Sequence, residues 1–376
     1  MKNKIRISII GLIMMTISII NLFKPVHSFS SQENRYLQRL PELNMEDILS
    51  GKYTSDFEKY TTDQFPYRDL WIKVKTGTDL LMQKKDNGRV YFGKNNFLFD
   101  VNNDFDQEQF HKNIKHVNNF IEKINGLNQD IRIGAILIPS KETVHSNLLP
   151  KYAPIINEHK IVEDLKKTLP QDFYLVNLID TLDEKSNEYI YYRTDHHWTT
   201  KGAYYGYTAL SDVLGYKPYN EDEFYIEKVS EDFLGTIYRK ANLYSGKPDS
   251  IYKYSVIEHI KYNININESN EKGSLYDEKY LEKVDKYSYF LGGDYSVVDI
   301  ETSVNNGKTI VIIKDSFANS ILPFLSLHYE RIILIDTRYF GDSIPEYIKN
   351  KNVDDILFVF NIQNFSQFKS FNLLSR

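Results

Sequence analysis

Two short segments of this 376-residue chain carry the residue types that a serine acyl-transfer reaction needs. The first contains Asp195 and His197, and an extended backbone places residues two positions apart on the same side. The second contains Ser316, where an apolar strand is predicted to end and a helix to begin. A serine hydroxyl is a poor nucleophile unless an imidazole takes its proton, and a carboxylate usually orients that imidazole. The spacing therefore favours Ser316 as nucleophile, His197 as base and Asp195 as the orienting carboxylate.

Further residues are candidates for binding an oxyanion or a substrate. Helix N–H groups after Ser316 could stabilise a developing oxyanion. Gly292 and Gly293 follow an apolar run, and without side chains they allow backbone donors to approach closely. Arg338 and Tyr339 follow another predicted strand and could contact an acetyl group or a glycan, although packing within a loop is the commoner role for such residues.

Simpler interpretations of the same residues stay open. Asp-x-His pairs are common in proteins without any catalytic role. A serine at the start of a helix usually caps it. Asp195, His196 and His197 could bind a metal ion. The sequence offers no further ligand at a suitable spacing from these adjacent residues, so no metal and no other cofactor is predicted.

Strands and helices are predicted to alternate around these segments. Apolar runs predict strands, and 3.6-residue spacing predicts helices. The predicted strands are 131–138, 173–178, 309–313, 331–335 and 356–360, and the predicted helices are 107–124, 159–169, 203–214, 319–328 and 344–349. Fully apolar strands between helices indicate an α/β fold with a parallel sheet flanked by helices, whose reactive groups gather at the carboxyl ends of the strands. Residues 220–304 show weak periodicity and predict an irregular insertion or, as the alternative, β-rich elements.

The first residues predict a membrane or export segment. Lys2, Lys4 and Arg6 precede an apolar run over residues 7–23, which is at the short end of a membrane span. Positive residues before the run predict that the rest of the chain lies outside the cell membrane. Residues 1–28 are therefore predicted to be a signal anchor, a single N-terminal pass, with a cleaved signal peptide and secretion as the alternative.

Composition excludes several classes of function. The formal net charge is −5, so no basic surface for a nucleic-acid partner is expected. The absence of cysteine excludes disulfides, thiolate catalysis and cysteine-based zinc sites. With 41% hydrophobic and 26% charged residues, the chain is globular and long enough to bury a sizeable core.

The segment around Asp195 also resembles a known family. Residues 194–199 (Thr-Asp-His-His-Trp-Thr), together with Lys-Gly-Ala at 201–203, resemble the signature of the DHHW family. They are also similar to the Asp-x-His-Trp motif of the alginate acetylation proteins AlgJ and AlgX, which are SGNH-hydrolase-like O-acetyltransferases. Weaker matches, in the expected order, lie at 33–35, 63–68, 90–94, 138–141 and 315–318.

This resemblance implies an SGNH-hydrolase-like (flavodoxin-like) fold in which the aspartate and histidine precede the serine. It assigns Asp195, His197 and Ser316 the orienting, base and nucleophile roles, and it leaves His196 and Trp198 as supporting neighbours without a chemical step of their own. In ordinary SGNH enzymes a Gly-x-Asn block supplies oxyanion donors. The nearest block here ends in Asp294, which cannot donate when it is ionised.

The function implied by the resemblance is extracytoplasmic O-acetyl transfer to a secreted or cell-wall polysaccharide. A multi-spanning acyltransferase of the MBOAT type is the implied acetyl supplier. Residues 29–88 are predicted to be a helical connector and residues 89–376 the O-acetyltransferase domain. A polysaccharide O-acetylesterase with the same triad, and a non-catalytic polysaccharide-binding protein, are the alternatives.

Overall fold

The computed structural model describes residues 2–30, 35–101, 104–127, 130–257, 260–269 and 273–375. The chain divides into two compact units. The first contains residues 1–90 and 236–246, and the second contains residues 91–235 and 247–376. The assignment of functions to the segments 29–88 and 89–376 stays a prediction.

The first unit is mainly helical. Its helices are Lys2–Phe23, Met45–Leu49, Lys52–Asp63, Arg68–Leu81 and Thr236–Ala241, and a short antiparallel pair joins Phe29–Ser30 to Arg35–Tyr36. The backbone carbonyl of Ala241 accepts hydrogen bonds from Thr76 Oγ1 (3.2 Å) and Asn87 Nδ2 (2.9 Å). These bonds attach the late segment 236–246 to the N-terminal residues of the same unit.

No helix in the described part of the chain combines the length and apolar character that crossing a membrane requires. The predicted single N-terminal membrane pass is therefore wrong. The apolar run 7–23 of the first helix has 17 residues, fewer than the roughly 20 that span a bilayer. Polar residues such as Ser8, Thr16 and Asn21 also interrupt it.

Seven described strands form the central sheet of the second unit. They are β1 (Arg132–Ile138), β2 (Tyr174–Asn177), β3 (Tyr262–Ile266), β4 (Val297–Thr302), β5 (Thr309–Lys314), β6 (Arg331–Ile335) and β7 (Asp355–Asn361). Their order across the sheet is β2-β1-β7-β5-β6-β4-β3. The five strands from β2 to β6 in this order are parallel, whereas β4 runs antiparallel to both of its neighbours.

Two observations correct the predicted sheet. The sheet is mixed rather than parallel, because β3 and β4 add an antiparallel edge. Both strands come from residues 220–304, so that segment contains β-rich elements, the alternative left open above, rather than an irregular insertion. It also contains an antiparallel hairpin of Phe224–Phe233 and Asp249–Val256. Exposed Tyr262 and Asn263 in β3, and exposed Glu301 in β4, interrupt the apolar pattern by which the buried strands are recognised.

Helices cover both faces of the sheet. They are Gln107–Asn125, Lys141–Val144, Glu158–Thr168, Ile179–Asp183, Thr200–Leu214, Leu322–Leu325, Ile344–Ile348 and Ile362–Gln367. Because side chains alternate along a strand, Val311 and Ile313 of β5 lie in a core with the helix Gln107–Asn125, while Ile310 and Ile312 lie in a core with Thr200–Leu214. The predicted mixture of helices around a central sheet is confirmed, and β5 is buried on both sides at its centre.

Candidate active site

The structure brings Asp195, His197 and Ser316 into hydrogen-bonding distance. Asp195 Oδ1 lies 2.6 Å from His197 Nδ1, and His197 Nε2 lies 2.8 Å from Ser316 Oγ. Asp195 and His197 are 1% and 4% exposed. An imidazole held between a buried carboxylate and a hydroxyl can take the hydroxyl proton while the carboxylate fixes its tautomer.

Asp195 and His197 lie in a tight loop that leads into the helix Thr200–Leu214. An isolated β-bridge pairs Tyr191 with Trp198, and Tyr192 N donates to His197 O (3.2 Å). Asp195 Oδ1 also accepts the backbone N–H of His197 at 3.0 Å. The carboxylate therefore contacts both the ring and the backbone of the residue two positions later, which restricts the orientation of the imidazole.

Lys141 supports this loop through backbone carbonyls. Its Nζ donates to the carbonyls of Tyr192 (3.0 Å), Arg193 (3.2 Å) and Asp195 (2.7 Å). The side chain is 1% exposed, and burial lowers the pKa of its ammonium group. This single side chain thus donates to three loop carbonyls, of which Arg193 O also accepts Leu98 N (2.9 Å).

Asp249 supports the amide side of the same loop. Its carboxylate accepts from Arg193 N (3.0 Å), Thr194 N (2.8 Å), Thr194 Oγ1 (2.5 Å) and Tyr189 Oη (2.5 Å). It is fully buried and lies 3.1 Å from Arg193 Nη1. Lys141 thus holds the loop through its backbone carbonyls, and Asp249 holds it through its backbone N–H groups.

Gly235 allows the chain to pass directly over Asp195. A Cβ on Gly235 would overlap Asp195 Cβ and lie 2.5 Å from Asp195 Oδ2. Gly235 N also donates to Thr194 Oγ1 at 3.0 Å. A residue without a side chain is therefore required at this position.

Ser316 lies two residues beyond Lys314, the last residue of β5, and begins a 3-10 turn, Ser316–Ser320, instead of the predicted α-helix. Asp315 caps this turn by accepting Phe317 N at 2.9 Å. Its carboxylate also accepts Asn361 N (2.9 Å) and Asn364 Nδ2 (2.8 Å). Burial raises the pKa of Asp315, which has only neutral hydrogen-bond donors around it. The N–H of Phe317 is consequently committed to Asp315 and is not a free oxyanion donor.

Trp198 and Tyr287 join the histidine loop to the serine turn. Trp198 Nε1 donates to Phe317 O (3.1 Å) and to Ser320 Oγ (2.8 Å), and the indole is fully buried. The Tyr287 ring stacks on the His197 imidazole with centroids 3.7 Å apart and an interplanar angle of 6°. Its hydroxyl donates to Ser316 O at 3.0 Å. Tyr287 therefore contacts both the base and the nucleophile residue.

Asp294 and Arg338 belong to an ion-pair cluster behind the serine turn. Asp294 lies 2.9 Å from Lys314 Nζ and 2.8 Å from Arg338 Nη2, and Asp336 lies 2.6 Å from the same guanidinium nitrogen. Burial opposes ionisation of Asp294, but Lys314 and Arg338 together hold its pKa below the ordinary value. An ionised Asp294 cannot donate to an oxyanion, and the structure shows Arg338 pairing with carboxylates of the chain itself.

The remaining predicted substrate-binding residues occupy separate positions. Tyr339 is 57% exposed, and its ring lies 5.3 Å from the Arg338 guanidinium. Gly292 and Gly293 have positive φ angles of 84° and 122°. Gly292 N donates to Ser288 O (3.0 Å), and Gly293 O accepts Asn319 Nδ2 at 3.5 Å. The Gly293 carbonyl thus contacts the serine turn, and an oxyanion role for these glycines stays a prediction.

His196 lies beside the base with its side chain 39% exposed. Its ring centroid is 3.8 Å from that of His197, and its Nδ1 is 3.6 Å from Asp195 Oδ1. Ligand atoms of Asp195, His196 and His197 all lie within 4.8 Å of one another, so these residues could together contact a metal ion. A metal on His197 would displace either Asp195 or Ser316 from a ring nitrogen. The set therefore fits a proton relay better than a metal site.

Four residues that the sequence analysis did not single out shape the site: Lys141, Gly235, Asp249 and Tyr287. Lys141 alone carried a signal, because it follows a predicted buried strand within the weakly matching segment 138–141. The other three come from residues 220–304. The weak periodicity of this segment did not indicate how its residues pair with the sheet.

Comparison with known proteins agrees with the resemblance seen in the sequence. Residues 157–335 match the family model described as DHHW protein, and this range contains Asp195, His197 and Ser316. The resemblance to the DHHW family is confirmed. No curated protein matches the sequence.

Solved structures share this fold. A DHHW family protein from Eubacterium siraeum DSM 15702 is 24% identical, with a TM-score of 0.60 over 76% of this chain and 97% of that one. Bacillus cereus PatB1, solved with a sulfonyl adduct, is 19% identical, with a TM-score of 0.64 over 76% and 97% of the two chains. The O-acetyltransferase domain of Pseudomonas putida AlgJ is 14% identical over 74% and 93%, with a TM-score of only 0.47. At these identities the first two similarities establish the fold alone.

Proposed function

We propose that this protein is an SGNH-hydrolase-like serine O-acetyltransferase that acts on hydroxyl groups of a secreted or cell-wall polysaccharide. The observation that carries the proposal is the continuous relay from Asp195 through His197 to Ser316, with distances of 2.6 and 2.8 Å. The position of Ser316 at the carboxyl end of the central strand β5 also supports it, since α/β sheets place their reactive groups there. The choice of acetyl as the transferred group and of a polysaccharide as its acceptor rests on the resemblance to the DHHW family.

In the first half-reaction, Ser316 Oγ attacks the acetyl carbonyl of the donor while His197 Nε2 takes the hydroxyl proton. The bond to the donor breaks, the leaving group takes the proton from His197, and the acetyl group remains on Ser316 as an ester. In the second half-reaction, a sugar hydroxyl attacks this ester after losing its proton to His197. The acetyl group moves to the sugar oxygen, and Ser316 Oγ recovers the proton. Asp195 stabilises the imidazolium in both steps.

The proposed partners follow from this scheme. The acceptor is a polysaccharide, and the donor is an acetylated carrier outside the cytoplasm, supplied in our proposal by an MBOAT-type membrane acyltransferase. Export of the chain itself is proposed through cleavage of the N-terminal segment as a signal peptide.

The first test is acetylation of the full-length protein by 4-nitrophenyl acetate, followed by peptide mass spectrometry. We expect an acetyl group on Ser316 and a burst of 4-nitrophenolate, both lost in Ser316→Ala and reduced by at least about 1000-fold in His197→Ala. Circular dichroism and thermal unfolding of each variant show whether the fold is retained. A well-folded Ser316→Ala variant with near-normal turnover would refute the proposal.

The second test distinguishes transfer from hydrolysis. Acetyl-Ser316 protein is mixed with oligosaccharides or with buffer alone, and the loss of the acetyl group is followed by intact mass. Faster loss with oligosaccharide, together with acetylated sugar product, is expected for a transferase. Equal loss in buffer would instead identify an esterase, and no adduct at all would favour a binding protein.

A further inference from the structure

The first compact unit contains a groove of its own. Its volume is about 620 Å³, and the described residues that line it all fall within 61–89. We call it the Trp71 groove, and its main lining residues are Phe65, Arg68, Trp71, Lys75, Asn87 and Arg89. None of them belongs to the N-terminal segment for which cleavage is proposed, so export of the chain leaves the groove complete.

The helix Arg68–Leu81, which contributes Trp71 and Lys75 to this groove, has an inverted distribution of side chains. It buries two polar residues, Thr76 and Asp79, whereas five of its large apolar side chains are exposed. The exposed apolar residues are Leu70, Trp71, Val74, Leu80 and Leu81. A helix of a globular protein normally buries its apolar side and exposes its polar side. This surface therefore suits a ligand or a partner better than it suits water.

Two aromatic rings of the groove are accessible to a ligand. Trp71 is 53% exposed, and Phe65 is exposed as well. The chain has only two tryptophans, and the other, Trp198, is fully buried. An indole offers a large flat surface that loses little conformational entropy on binding. The apolar face of a sugar ring can stack on such a surface while its hydroxyl groups stay in contact with water.

The charged side chains of the groove are cationic. Among the described residues that line it, Arg68, Lys75 and Arg89 are basic and none is acidic. Arg68 is largely buried, and its guanidinium lies 3.3 Å from the carboxylate of Asp69. Lys75 and Arg89 are exposed. The cations that a ligand can reach are thus Lys75 and Arg89.

Nearby acids neutralise this positive charge only in part. The carboxylate of Asp79 is shared by two ammonium groups, at 3.3 Å from Lys75 Nζ and 2.7 Å from Lys84 Nζ. Residues 68–90 contain six lysines and arginines but three aspartates, in a chain whose net charge is −5. A ligand with negative charge is therefore complementary to the groove, whereas a lipid tail or an apolar helix would desolvate Lys75 and Arg89.

We propose that the Trp71 groove binds an anionic polysaccharide chain, with a sugar ring stacked on the Trp71 indole and the negative groups of the polymer beside Lys75 and Arg89. The proposal rests on the polysaccharide O-acetyl transfer proposed above, and it adds the chemical class of the acceptor and a further site that binds it. A polymer held on the same chain as Ser316 has a raised effective concentration for the reaction. Trp71, Lys75 and Arg89 bind the polymer and take no part in the chemistry.

The test measures how three dextrans of equal length bind to the full-length protein in isothermal calorimetry. They are unmodified, carboxymethylated and phosphorylated dextran, so ring stacking stays constant while the charge changes. We expect at least one anionic dextran to bind at least about 10-fold more tightly than the neutral one at about 50 mM salt, and less than about threefold more tightly at about 500 mM salt. The tighter anionic dextran identifies the anion that the groove prefers. Equal binding of all three dextrans, or binding of none, would overturn the proposal.

Variants then locate the binding site. Trp71→Ala should weaken binding of the anionic dextran at least about fivefold, and Lys75→Gln combined with Arg89→Gln should abolish the preference over neutral dextran. Lys59→Gln is the matched control and should bind like wild type, because Lys59 is as exposed as Lys75 (63% for each side chain) and also pairs with an aspartate about one helical turn away. Thermal unfolding of each variant shows whether the fold is retained. Unchanged binding in both groove variants would contradict the proposed site.

Other occupants of the groove give different results. Binding to phosphatidylglycerol vesicles that is lost in Trp71→Ala, without dextran binding, would identify a lipid surface as the ligand. A dimer in analytical ultracentrifugation that Trp71→Ala dissociates would identify a second copy of the chain. Either result overturns the proposal.

Failure of this proposal and failure of the proposed function are distinguishable. The groove variants should keep the acetylation of Ser316 and the burst of 4-nitrophenolate, since none of the substituted residues belongs to the candidate triad. Without acetylation of Ser316 in the wild-type protein, the proposed function itself fails. With acetylation and transfer but no dependence of binding on charge, only the proposal about the groove fails.

Discussion

The loop that carries Asp195 and His197 and the turn that carries Ser316 are held in different ways. The turn continues a buried strand, and its capping residue Asp315 is the immediate neighbour of Ser316. The loop has little regular structure, and side chains more than 50 positions away, Lys141 and Asp249, satisfy its backbone. Substitutions far from the histidine in sequence should therefore damage the loop, whereas the residue that caps the turn is visible in the local sequence.

The largest expected effect on stability comes from Lys141, whose ammonium group supports the loop. Lys141→Met keeps the length and apolar stem of the side chain but removes the ammonium group that donates to three loop carbonyls. We expect the free energy of unfolding to fall by about 3 kcal/mol and turnover of 4-nitrophenyl acetate to fall by at least about 10-fold.

Urea unfolding and steady-state kinetics would measure both changes. Lys166→Met, an exposed lysine on the helix Glu158–Thr168, serves as the control and should change neither quantity. If Lys141→Met behaved like this control, side-chain support of the loop would be unimportant.

Gly235→Ala tests the close passage of backbone over Asp195. Because the new methyl group would overlap the carboxylate side chain, we expect the orientation of His197 to change and turnover to fall by about 100-fold, the size of effect known for 1 Å displacements in active sites. Gly341→Ala is the matched control, since nothing lies within 4 Å of its Cβ position. Turnover within threefold of wild type in Gly235→Ala would contradict the geometry described for the loop.

The pH dependence of stability should differ between His145, which packs beside the loop, and Asp315, which caps the turn. His145 packs against Tyr191, at the start of the loop, and burial lowers its pKa to about 4. The unfolded chain takes up a proton below pH 6.5 that the folded protein does not bind until about pH 4, so stability is lost as the pH falls through this range. The expected loss at pH 5 is about 2 kcal/mol, and His145→Gln should remove it.

The pH dependence of the free energy of unfolding, measured from pH 7 to 4.5 for both proteins, would show this difference. At the turn the sign is opposite, because burial raises the pKa of Asp315 and protonation therefore favours the folded state. Parallel pH profiles for wild type and His145→Gln would exclude His145 as the titrating group.

Tyr287 gives the smallest expected effect, and it contacts both regions. Tyr287→Phe keeps the stack on His197 and loses the hydroxyl bonds to Ser316 O and Ser320 Oγ, so turnover should stay within about threefold. Tyr287→Leu loses the stack as well, and we expect turnover about 10-fold lower and a shifted apparent pKa in the pH profile of kcat/KM. An unshifted profile for the leucine variant would show that the ring only fills space.

The sequence predicted the regular part of this fold well, for identifiable physical reasons. The apolar run 309–313 predicted β5, which is Thr309–Lys314, because a strand buried on both faces needs apolar residues throughout. The strands β3 and β4 escaped detection, since the edge strand β3 and its neighbour β4 contain polar residues that hide the apolar pattern. The spacing of Asp195 and His197 indicated the pair, and Ser316 was indicated by the end of its strand. Tyr287 and Asp249 could not be indicated, because only tertiary packing brings them to the loop.

The indole of Trp198 has a consequence for how the site responds to heat. Its Nε1 bonds to residues 119 and 122 positions later in the chain, and so closes a long loop that the unfolded polypeptide would close only at an entropic cost. Separating base from nucleophile therefore requires exposing a fully buried ring, which amounts to melting the core rather than fraying an edge. Inactivation on heating should coincide with loss of the whole fold, without an earlier temperature range in which the protein is folded but inactive.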